Sequence, residues 1–330
     1  MRAVKHFLLA GAVCANSVAA TGQNMTGSTA PGVAKRPFVL IVPAAAGGSA
    51  DRVARILAAS MGLALEQTVQ VRNLPAKGGT DALNMASLPS ADEIRIGFAT
   101  NTPVITGQLY PLGATYKVFE DFDWLGIVGT FPNAVVVATR DTATSLNDWV
   151  AKSRALNRPM RYGAGPVGSV GYLAGRHLSD VTSLPLVHQV IVNPDEGYTA
   201  LQAGAIDVFF DGVPNALEET ARSGGRVLAV TSAQRSRAFP DAGSFGELST
   251  GADFSVFAAL VVSRKENDAI RARLKSAWET VNRQQVAKAE IEKIGMSYLG
   301  LESDSAPRFV ENEFLRHAKQ MGRASKSPTP

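Results

Sequence analysis

Short apolar runs of strand length alternate along the chain with segments whose apolar residues recur every three or four positions. The run at residues 37–43 is apolar throughout, which is typical of a strand buried on both faces of a parallel sheet. A glycine-bearing turn follows it, and residues 51–61 then carry apolar side chains at helical spacing. This succession of strand, turn and helix recurs along nearly the whole chain, so the pattern predicts an α/β fold.

The same patterns predict the remaining elements and the edge of the sheet at which a site would lie. Further strands are predicted at residues 68–72, 94–99, 125–128, 134–138, 160–162, 186–192, 206–210, 227–231 and 254–262. Further helices are predicted at residues 81–87, 146–153, 169–178, 198–203, 215–222, 267–281 and 307–321. Ligands of open α/β sheets bind beyond the carboxyl ends of the strands. The candidate turns are therefore those after residues 42, 99, 162, 192 and 210.

The first 20 residues have the composition of a secretory signal peptide. Arg2 and Lys5 precede a short apolar stretch at residues 7–15, and small residues follow at 17–20. The apolar stretch is shorter than the roughly 20 residues that span a bilayer. We expect cleavage after Ala19 or Ala20, a flexible leader at residues 21–36 and a periplasmic product. Lipid attachment at Cys14 is the alternative.

Composition excludes several classes of function. The chain has 330 residues, a formal net charge of +4 and one cysteine, Cys14. Loss of the signal peptide would remove Arg2 and Lys5, reducing the charge to +2, and would leave no cysteine for a disulfide, a thiol nucleophile or a metal site. Basic residues are dispersed among 29 acidic ones, so no nucleic-acid partner is expected. A chain of this length more often forms two domains than one.

The first glycine turn, residues 44–51, lies between a predicted buried strand and a predicted helix. Gly47 and Gly48 leave backbone amides accessible, and the positive end of a helix dipole attracts an anion. No Gly-Lys-Ser/Thr follows, so the turn is not a Walker phosphate loop. The alternative is an ordinary tight turn in which Ser49 caps the helix and Asp51 complements its dipole.

The second glycine turn, residues 163–168, reads Gly-Ala-Gly-Pro-Val-Gly. This matches the glycine pattern of a dinucleotide site, but such a site needs an acidic residue about 20 positions later. The candidate here, Asp195, lies further along the chain than that. Pro166 also removes one amide from the turn. An anion cradle formed by the amides of residues 165–169 and the Ser169 hydroxyl is the other interpretation.

The remaining polar turns add groups that can bind but no catalytic set. The turns at residues 100–103 and 211–214 contribute hydroxyls, an amide and one carboxylate. His177, His188 and His317 fall inside predicted helices or a strand, and we interpret them as structural. No nucleophile elbow, metal-ligand spacing or carboxylate pair is evident. The sequence therefore predicts a binding site without catalytic residues, metal or cofactor.

Several segments, in order, carry a family resemblance. They are residues 42–51, 71–79, 162–169 with 173–175, 207–214 and 228–232. Together they resemble signatures of the tripartite tricarboxylate transporter substrate-binding proteins, the Bug receptors, over about residues 37–320. The resemblance implies a type II periplasmic solute-binding protein, a monomer with two doubly wound α/β domains joined by a hinge. Residues 36–131 plus 240–330 would form domain 1, and residues 132–239 would form the inserted domain 2.

The resemblance also implies a ligand and a set of contacts. A small organic carboxylate would bind in the cleft between the domains and pass to the membrane permease subunits of a tripartite tricarboxylate transporter. Transferred by matching position, the ligand-binding residues are Ala44, Ala45, Gly47, Gly48, Ser49, Asp51, Thr100, Asn101, Thr102, Ala164, Gly165, Gly168, Ser169, Asn193 and Asp211.

The chain departs from the family pattern at three places. Alanines at 44–46 replace an aromatic residue and prolines, which predicts a roomier pocket. Tyr172 stands where the family commonly has histidine, and residues 188–193 lack the family's Tyr, Lys and Gly, so the carboxylate contact there is not carried over. Two other functions remain open: an exported α/β enzyme that binds a nucleotide at residues 163–168, and a receptor that serves a sensor instead of a permease.

Overall fold

A computed structural model describes residues 36–110 and 112–322. The predicted signal peptide, with Cys14 and both cleavage positions, lies outside the described residues, as does nearly all of the predicted leader. Within the described part of the chain, no helix is long and apolar enough to cross a membrane.

Helices and strands alternate as the sequence pattern predicts. The strands are β1 (Phe38–Val42), β2 (Val69–Asn73), β3 (Ile94–Ala99), β4 (Phe122–Val137), β5 (Met160–Ala164), β6 (Leu186–Val190), β7 (Val208–Gly212), β8 (Arg226–Val230), β9 (Gly243–Ser244), β10 (Ser255–Ser263) and β11 (Ser297–Glu302). The α-helices are α1 (Ser49–Leu65), α2 (Thr80–Ala86), α3 (Gly107–Leu109), α4 (Leu146–Ala155), α5 (Val170–Thr182), α6 (Pro194–Ala203), α7 (Val213–Ser223), α8 (Phe245–Leu248), α9 (Asp268–Arg283), α10 (Gln285–Lys293) and α11 (Ala306–Gln320). A 3₁₀-helix spans Ala76–Gly79 and a π-helix spans Thr102–Thr106.

The strands of the described residues form one mixed sheet in the order β2-β1-β3-β10-β4-β7-β5-β6. β1 pairs in parallel with β2 and β3, and β5 pairs in parallel with β6 and β7. β4 and β10 run antiparallel to their neighbours. β11 and β8 also pair with β4, and β9 pairs with β8. The α/β fold class predicted from the sequence is confirmed.

β4 connects two parts of this sheet. Its residues up to Pro132 pair with β10 and β11, whereas Asn133 and the residues after it pair with β7 and β8. We call β1, β2, β3, β10, β11 and the first part of β4 the first half of the sheet. The second half comprises β5 to β9 and the rest of β4. The partner change occurs between Pro132 and Asn133.

Each half is covered by helices on both faces. On the first half, one core includes Trp278 of α9 and the opposite core includes Phe314 of α11. On the second half, Val135 and Val137 of β4 face a core with α5, while Ala134 and Val136 face a core with α6 and α7. This alternation follows from the period of two along a strand, and it explains the continuous apolar runs of the sequence.

The structure differs from the sequence prediction at several elements. The two strands predicted at residues 125–128 and 134–138 are parts of the single strand β4. The turn predicted at residues 100–103 leads directly into the π-helix, and α10 and β11 have no predicted counterpart. β11 pairs with β4 across a register shift and none of its residues is fully buried, so its sequence lacks the apolar run of the other strands.

Candidate functional site

A cavity of about 600 Å³ lies between the two halves, where the predicted turns meet. Its wall is mainly apolar and includes Phe131 of β4 and Phe209 and Phe210 of β7. The lining residues include the starts of two helices, Ser49 and Ala50 of α1 and Val170 and Gly171 of α5. The first amides of a helix have no acceptor within it, so both helix ends offer donors to this space.

The first glycine turn is held in place by Asp51. This buried carboxylate accepts hydrogen bonds from the Gly47 amide at 2.9 Å, from the Asn73 side chain at 2.9 Å and from Arg55 at 2.8 Å. Burial alone would raise the pKa of Asp51, but these hydrogen bonds outweigh it and lower that pKa. Asp51 therefore positions the turn as a charged brace and does not line the cavity.

Ser49 connects the first half to the second half. Its hydroxyl donates to the Gly212 carbonyl at 3.0 Å and accepts from the Asn215 amide at 3.1 Å, which uses both of its hydrogen-bonding roles. α1 begins at Ser49, and its N-cap residue is Gly48, which has no side chain to cap the helix. The alternative in which Ser49 caps its own helix is therefore wrong. Arg52, one turn later, donates to Asn215 Oδ1 at 3.1 Å.

The second glycine turn is held by groups from the first half. The Gly168 carbonyl accepts from the Thr106 hydroxyl at 2.8 Å and from His317 Nε2 at 2.9 Å. Burial lowers the pKa of His317 to about 4, so the ring is neutral near pH 7. Ser169 caps α5 by accepting from the Tyr172 amide, and its own hydroxyl proton has no acceptor among the described residues.

Two threonines of the turn after β3 add hydroxyls to the cavity wall. Thr100 and Thr102 line the cavity, and neither hydroxyl bonds to another described residue. Asn101 also lines it, but its side chain is engaged by the backbone of β10, accepting from the Phe257 amide at 2.8 Å. The threonine hydroxyls are therefore free for a ligand, whereas Asn101 mainly ties the turn to β10.

Asp211 is the acidic group of the cavity wall. Its Oδ2 accepts from the Asn215 side chain at 2.6 Å and from the Tyr198 hydroxyl at 3.1 Å. Burial raises the pKa of Asp211 to about 6, although hydrogen bonds from Asn215, Tyr198 and the Gly212 amide oppose the shift. Asp211 precedes α7, so the start of a third helix also borders the cavity.

The structure brings together most of the residues predicted for the site. Those that line the cavity are Ala44, Ala45, Gly48, Ser49, Thr100, Asn101, Thr102, Gly165, Ser169 and Asp211. Those that lie outside its wall are Gly47, Asp51, Ala164, Gly168 and Asn193. Asn193 caps α6 by accepting from the Asp195 amide at 3.1 Å, and Ala164 is fully buried at the end of β5.

Other wall residues were not predicted. The segment Leu74–Gly78 lines the cavity, as do Phe131, Asn133, Phe209 and Phe210. The glycines at 78 and 79 were a usable signal for the first of these, because both adopt positive φ angles and Gly79 packs against Pro43 of the first turn. The residues of β4 and β7 carry no such signal, since they read as ordinary buried strand.

The dinucleotide interpretation of residues 163–168 gains no support from the geometry. The acidic residue it needs, Asp195, has a 73% exposed side chain paired with Arg222 and lies outside the cavity wall. Within the described residues, no group of three or more His, Cys, Asp or Glu side chains could hold a metal ion.

Comparison with known sequences gives a family and several relatives. Residues 53–323 match the model of the tripartite tricarboxylate transporter family receptor. A UPF0065 protein of Agrobacterium vitis, from the TAR-I ttuE-ttuC' intergenic region, is 31% identical over 74% of this chain and 70% of its own length. Protein BugT of Bordetella pertussis is 27% identical over 64% of this chain and 66% of its own length.

Solved structures share the fold. Rpa4515 of R. palustris, determined with adipate, has a TM-score of 0.78 at 22% identity, covering 88% of this chain and 99% of that one. MatC of Rhodopseudomonas palustris, with bound malate, has a TM-score of 0.74 at 20% identity, covering 87% of this chain and 99% of that one. The family match spans well over half of the chain, and the chain therefore belongs to the tripartite tricarboxylate transporter receptor family.

Proposed function

We propose that the protein is a periplasmic solute-binding receptor that captures a small organic carboxylate and delivers it to the permease subunits of a tripartite tricarboxylate transporter. The observation that carries the proposal is the opening of two helix N-termini, α1 and α5, onto one cavity. The carboxylates named for two structures of the same fold, adipate and malate, support the ligand class.

Backbone amides would do most of the recognition. The wall contains one basic side chain, Lys77, among the described residues, and that side chain is 58% exposed and paired with Asp81. A carboxylate enclosed between the ends of α1 and α5 would instead meet the amides of Ala50 and Gly171, together with the hydroxyl of Ser169. Removal of water from the cavity strengthens each of these hydrogen bonds.

The capture step would be the approach of two domains around the ligand. The partner change of β4 at Pro132 supports a domain boundary near residues 131 and 132, as the family resemblance implies. Phe245 and Phe254 pack in a core of the second half. We therefore place the return to the first domain near Ser255, where β10 begins, instead of near residue 240.

Delivery and location follow from the same proposal. The receptor would be a monomer, exported by its N-terminal segment and without enzymatic activity. Its partner would be a membrane permease, and a sensor is the alternative recipient of the loaded form. No specific observation favours the nucleotide-dependent enzyme as a second function.

Binding of carboxylates to the purified protein tests the proposal. Isothermal titration calorimetry with a panel of mono-, di- and tricarboxylates, hydroxy acids and amino acids should find at least one ligand of micromolar or tighter Kd. Thr102→Val, which removes a hydroxyl of the cavity wall at nearly constant volume, should weaken that ligand about fivefold, as expected for one hydrogen bond worth about 1 kcal/mol. Thr280→Val on α9, outside the wall, is the matched control and should leave Kd unchanged. A flat response to the whole panel would refute the proposal.

A further inference from the structure

We propose that Arg52 is a positioning residue for ligand capture: its guanidinium, on α1 of the first half, binds α7 of the second half and thereby stabilises the closed form of the receptor. The inference rests on the proposed function, because it assumes that the two halves approach each other around a carboxylate. Arg52 does not line the ligand cavity, so its effect on affinity would come from closure and not from a contact with the ligand.

The Arg52 guanidinium contacts three residues of α7. Its Nε donates to Asn215 Oδ1 at 3.1 Å, it forms an ion pair with Glu218, and its Nη2 lies 3.8 Å from Glu219 Oε1. The Arg52 side chain is 24% exposed, and Asn215 is buried. A planar guanidinium that serves several acceptors at once fixes the position of one helix against the other.

The local sequence does not explain a cation at position 52. Arg52 is the fourth residue of α1, where the positive end of the helix dipole disfavours a cation. The next arginine of the helix, Arg55, donates to Asp51 within the first half. By contrast, the side-chain hydrogen bonds and ion pairs that Arg52 makes to described residues all cross to α7. The stabilising interactions of this side chain are therefore those between the halves.

The charges on the two sides of the boundary are complementary at this place. A second cavity, of about 280 Å³, has as its charged wall residues Asp195, Glu218, Glu219 and Arg222 from the second half and Arg52 from the first half. The second half thus contributes three acids and one arginine, and Arg222 pairs with Asp195 and Glu219. Within the described chain, Glu218 has its ion pair with Arg52 alone. Approach of the halves therefore brings a positive charge to an acidic surface.

The Arg52 contacts lie further along both helices than the contacts of Ser49. The Ser49 hydroxyl bonds to Gly212 and to the Asn215 amide, and Gly212 is paired with β4. Arg52 follows Ser49 by about one turn of α1. Its partner Glu218 follows Asn215 by about one turn of α7. A rotation of the halves about β4 would therefore displace the Arg52 contacts more than the Ser49 contacts.

Contacts that exist only in the closed form affect the rates of binding in a characteristic way. A ligand enclosed between the halves dissociates after they open, so loss of the Arg52 contacts should raise the dissociation rate more than it lowers the association rate. A residue needed only for folding would instead lower the melting temperature with little change in either rate.

Arg52→Ala tests this assignment with the compound of the carboxylate panel, adipate and malate included, that binds the parent protein most tightly. The variant should raise Kd at least tenfold in calorimetry, and stopped-flow measurements should show a similar rise in the dissociation rate. Arg235→Ala, which removes a two-bond contact to Glu247 within the second half, is the matched control and should change neither quantity more than twofold. If Arg52→Ala behaves like this control, the inference is wrong while the receptor function stands. If no compound of the panel binds the parent protein, the proposed function fails, and the inference with it.

Two further variants keep the test decisive if Arg52→Ala does not fold, which thermal melting would reveal. Arg52→Lys keeps the charge but cannot reach several acceptors in one plane, so its Kd should lie between those of the parent protein and Arg52→Ala. Glu218→Gln removes one ion pair of a 61% exposed carboxylate and should raise Kd about two- to threefold. In the Arg52→Ala background it should have no further effect. If Arg52→Lys and Glu218→Gln both bind like Arg235→Ala, the inference is overturned.

Discussion

The two glycine turns at the cavity look alike in sequence but are supported in different ways. The first, at residues 44–51, is braced from within by Asp51, which fixes the Gly47 amide and reaches Asn73 of the neighbouring strand. The second, at residues 163–168, receives a hydrogen bond from His188 of its own half at the Gly165 carbonyl, and two at the Gly168 carbonyl from Thr106 and His317, which belong to the first half. The brace of the first turn thus lies within the first half, whereas part of the support of the second turn comes from across the boundary between the halves.

The largest expected effect is the loss of stability on removal of Asp51, the internal brace of the first turn. Asp51→Ala leaves the Gly47 amide and one of the two N–H groups of the Asn73 side chain without an acceptor, so the free energy of unfolding should fall by about 3 kcal/mol. Ser169→Ala, which removes the N-cap of α5 directly after the second turn, should cost about 1 kcal/mol. Urea unfolding at pH 7 measures both.

Asp304→Ala is the control for charge, because its 93% exposed side chain makes only an ion pair with Lys275 at 3.6 Å and an exposed hydrogen bond from the neighbouring Ser303. This variant should have the same free energy of unfolding as the parent protein. If Asp51→Ala costs no more than Ser169→Ala, the first turn has no stronger internal brace than the second.

The next largest effect is a pH dependence of the free energy of unfolding, and it involves only the second turn. The pKa of buried His317 lies near 4 in the folded state and near 6.5 in the unfolded state, so the unfolded state binds more protons between these values. Stability from this group is therefore complete above pH 6.5 and is lost as the pH falls, by about 2 kcal/mol at pH 5.

His317→Gln should remove this dependence, since glutamine can still donate to the Gly168 carbonyl and does not titrate. Urea unfolding at pH 7 and pH 5 should show a smaller loss of stability in the variant than in the parent protein. Parallel pH dependence of the two proteins would show that the second turn is not supported by a neutral histidine.

The smallest expected effect is a difference in ligand affinity between two variants that each add one methyl group, one in each turn. Gly47 and Gly168 both have φ of 81°, so alanine at either position costs about 1 kcal/mol of backbone strain. A Cβ at Gly47 meets no atom within 4 Å, whereas a Cβ at Gly168 would lie 2.5 Å from Thr106 Cγ2. Gly168→Ala should therefore weaken carboxylate binding about tenfold more than Gly47→Ala in calorimetry.

Thr106→Ser removes the clashing methyl group and keeps the hydroxyl, so it should restore part of the affinity in the Gly168→Ala background. Equal losses of affinity in the two single alanine variants would mean that contact between the halves does not depend on the second turn.

The sequence predicted the fold class and most of the cavity because both depend on local patterns. Buried strands read as apolar runs, and turns that follow them carry glycine and hydroxyl residues. Asp51 shows where this reasoning stops. The family resemblance implied a ligand contact for Asp51, but only its three-dimensional neighbour Asn73 reveals that its carboxylate is already occupied.

The long strand β4 was missed for a related reason. Gly126, Gly129 and Pro132 interrupt its pattern and favour a break between two shorter strands. In the fold, Gly126 and Gly129 give room to Trp278 and to the Ser297 carbonyl, which a Cβ would approach to 2.1 Å. Tertiary packing therefore overrides the local preference, and a single sequence does not reveal those partners.

The continuity of β4 between the two halves also bears on how the cavity would open. Pro132 has no amide proton, so it donates no backbone hydrogen bond to a neighbouring strand. The two halves share one uninterrupted strand at this point. In the capture step proposed above, the cavity would therefore open by rotation of the halves about β4, and the ligand would enter at the edge of the cavity away from this strand.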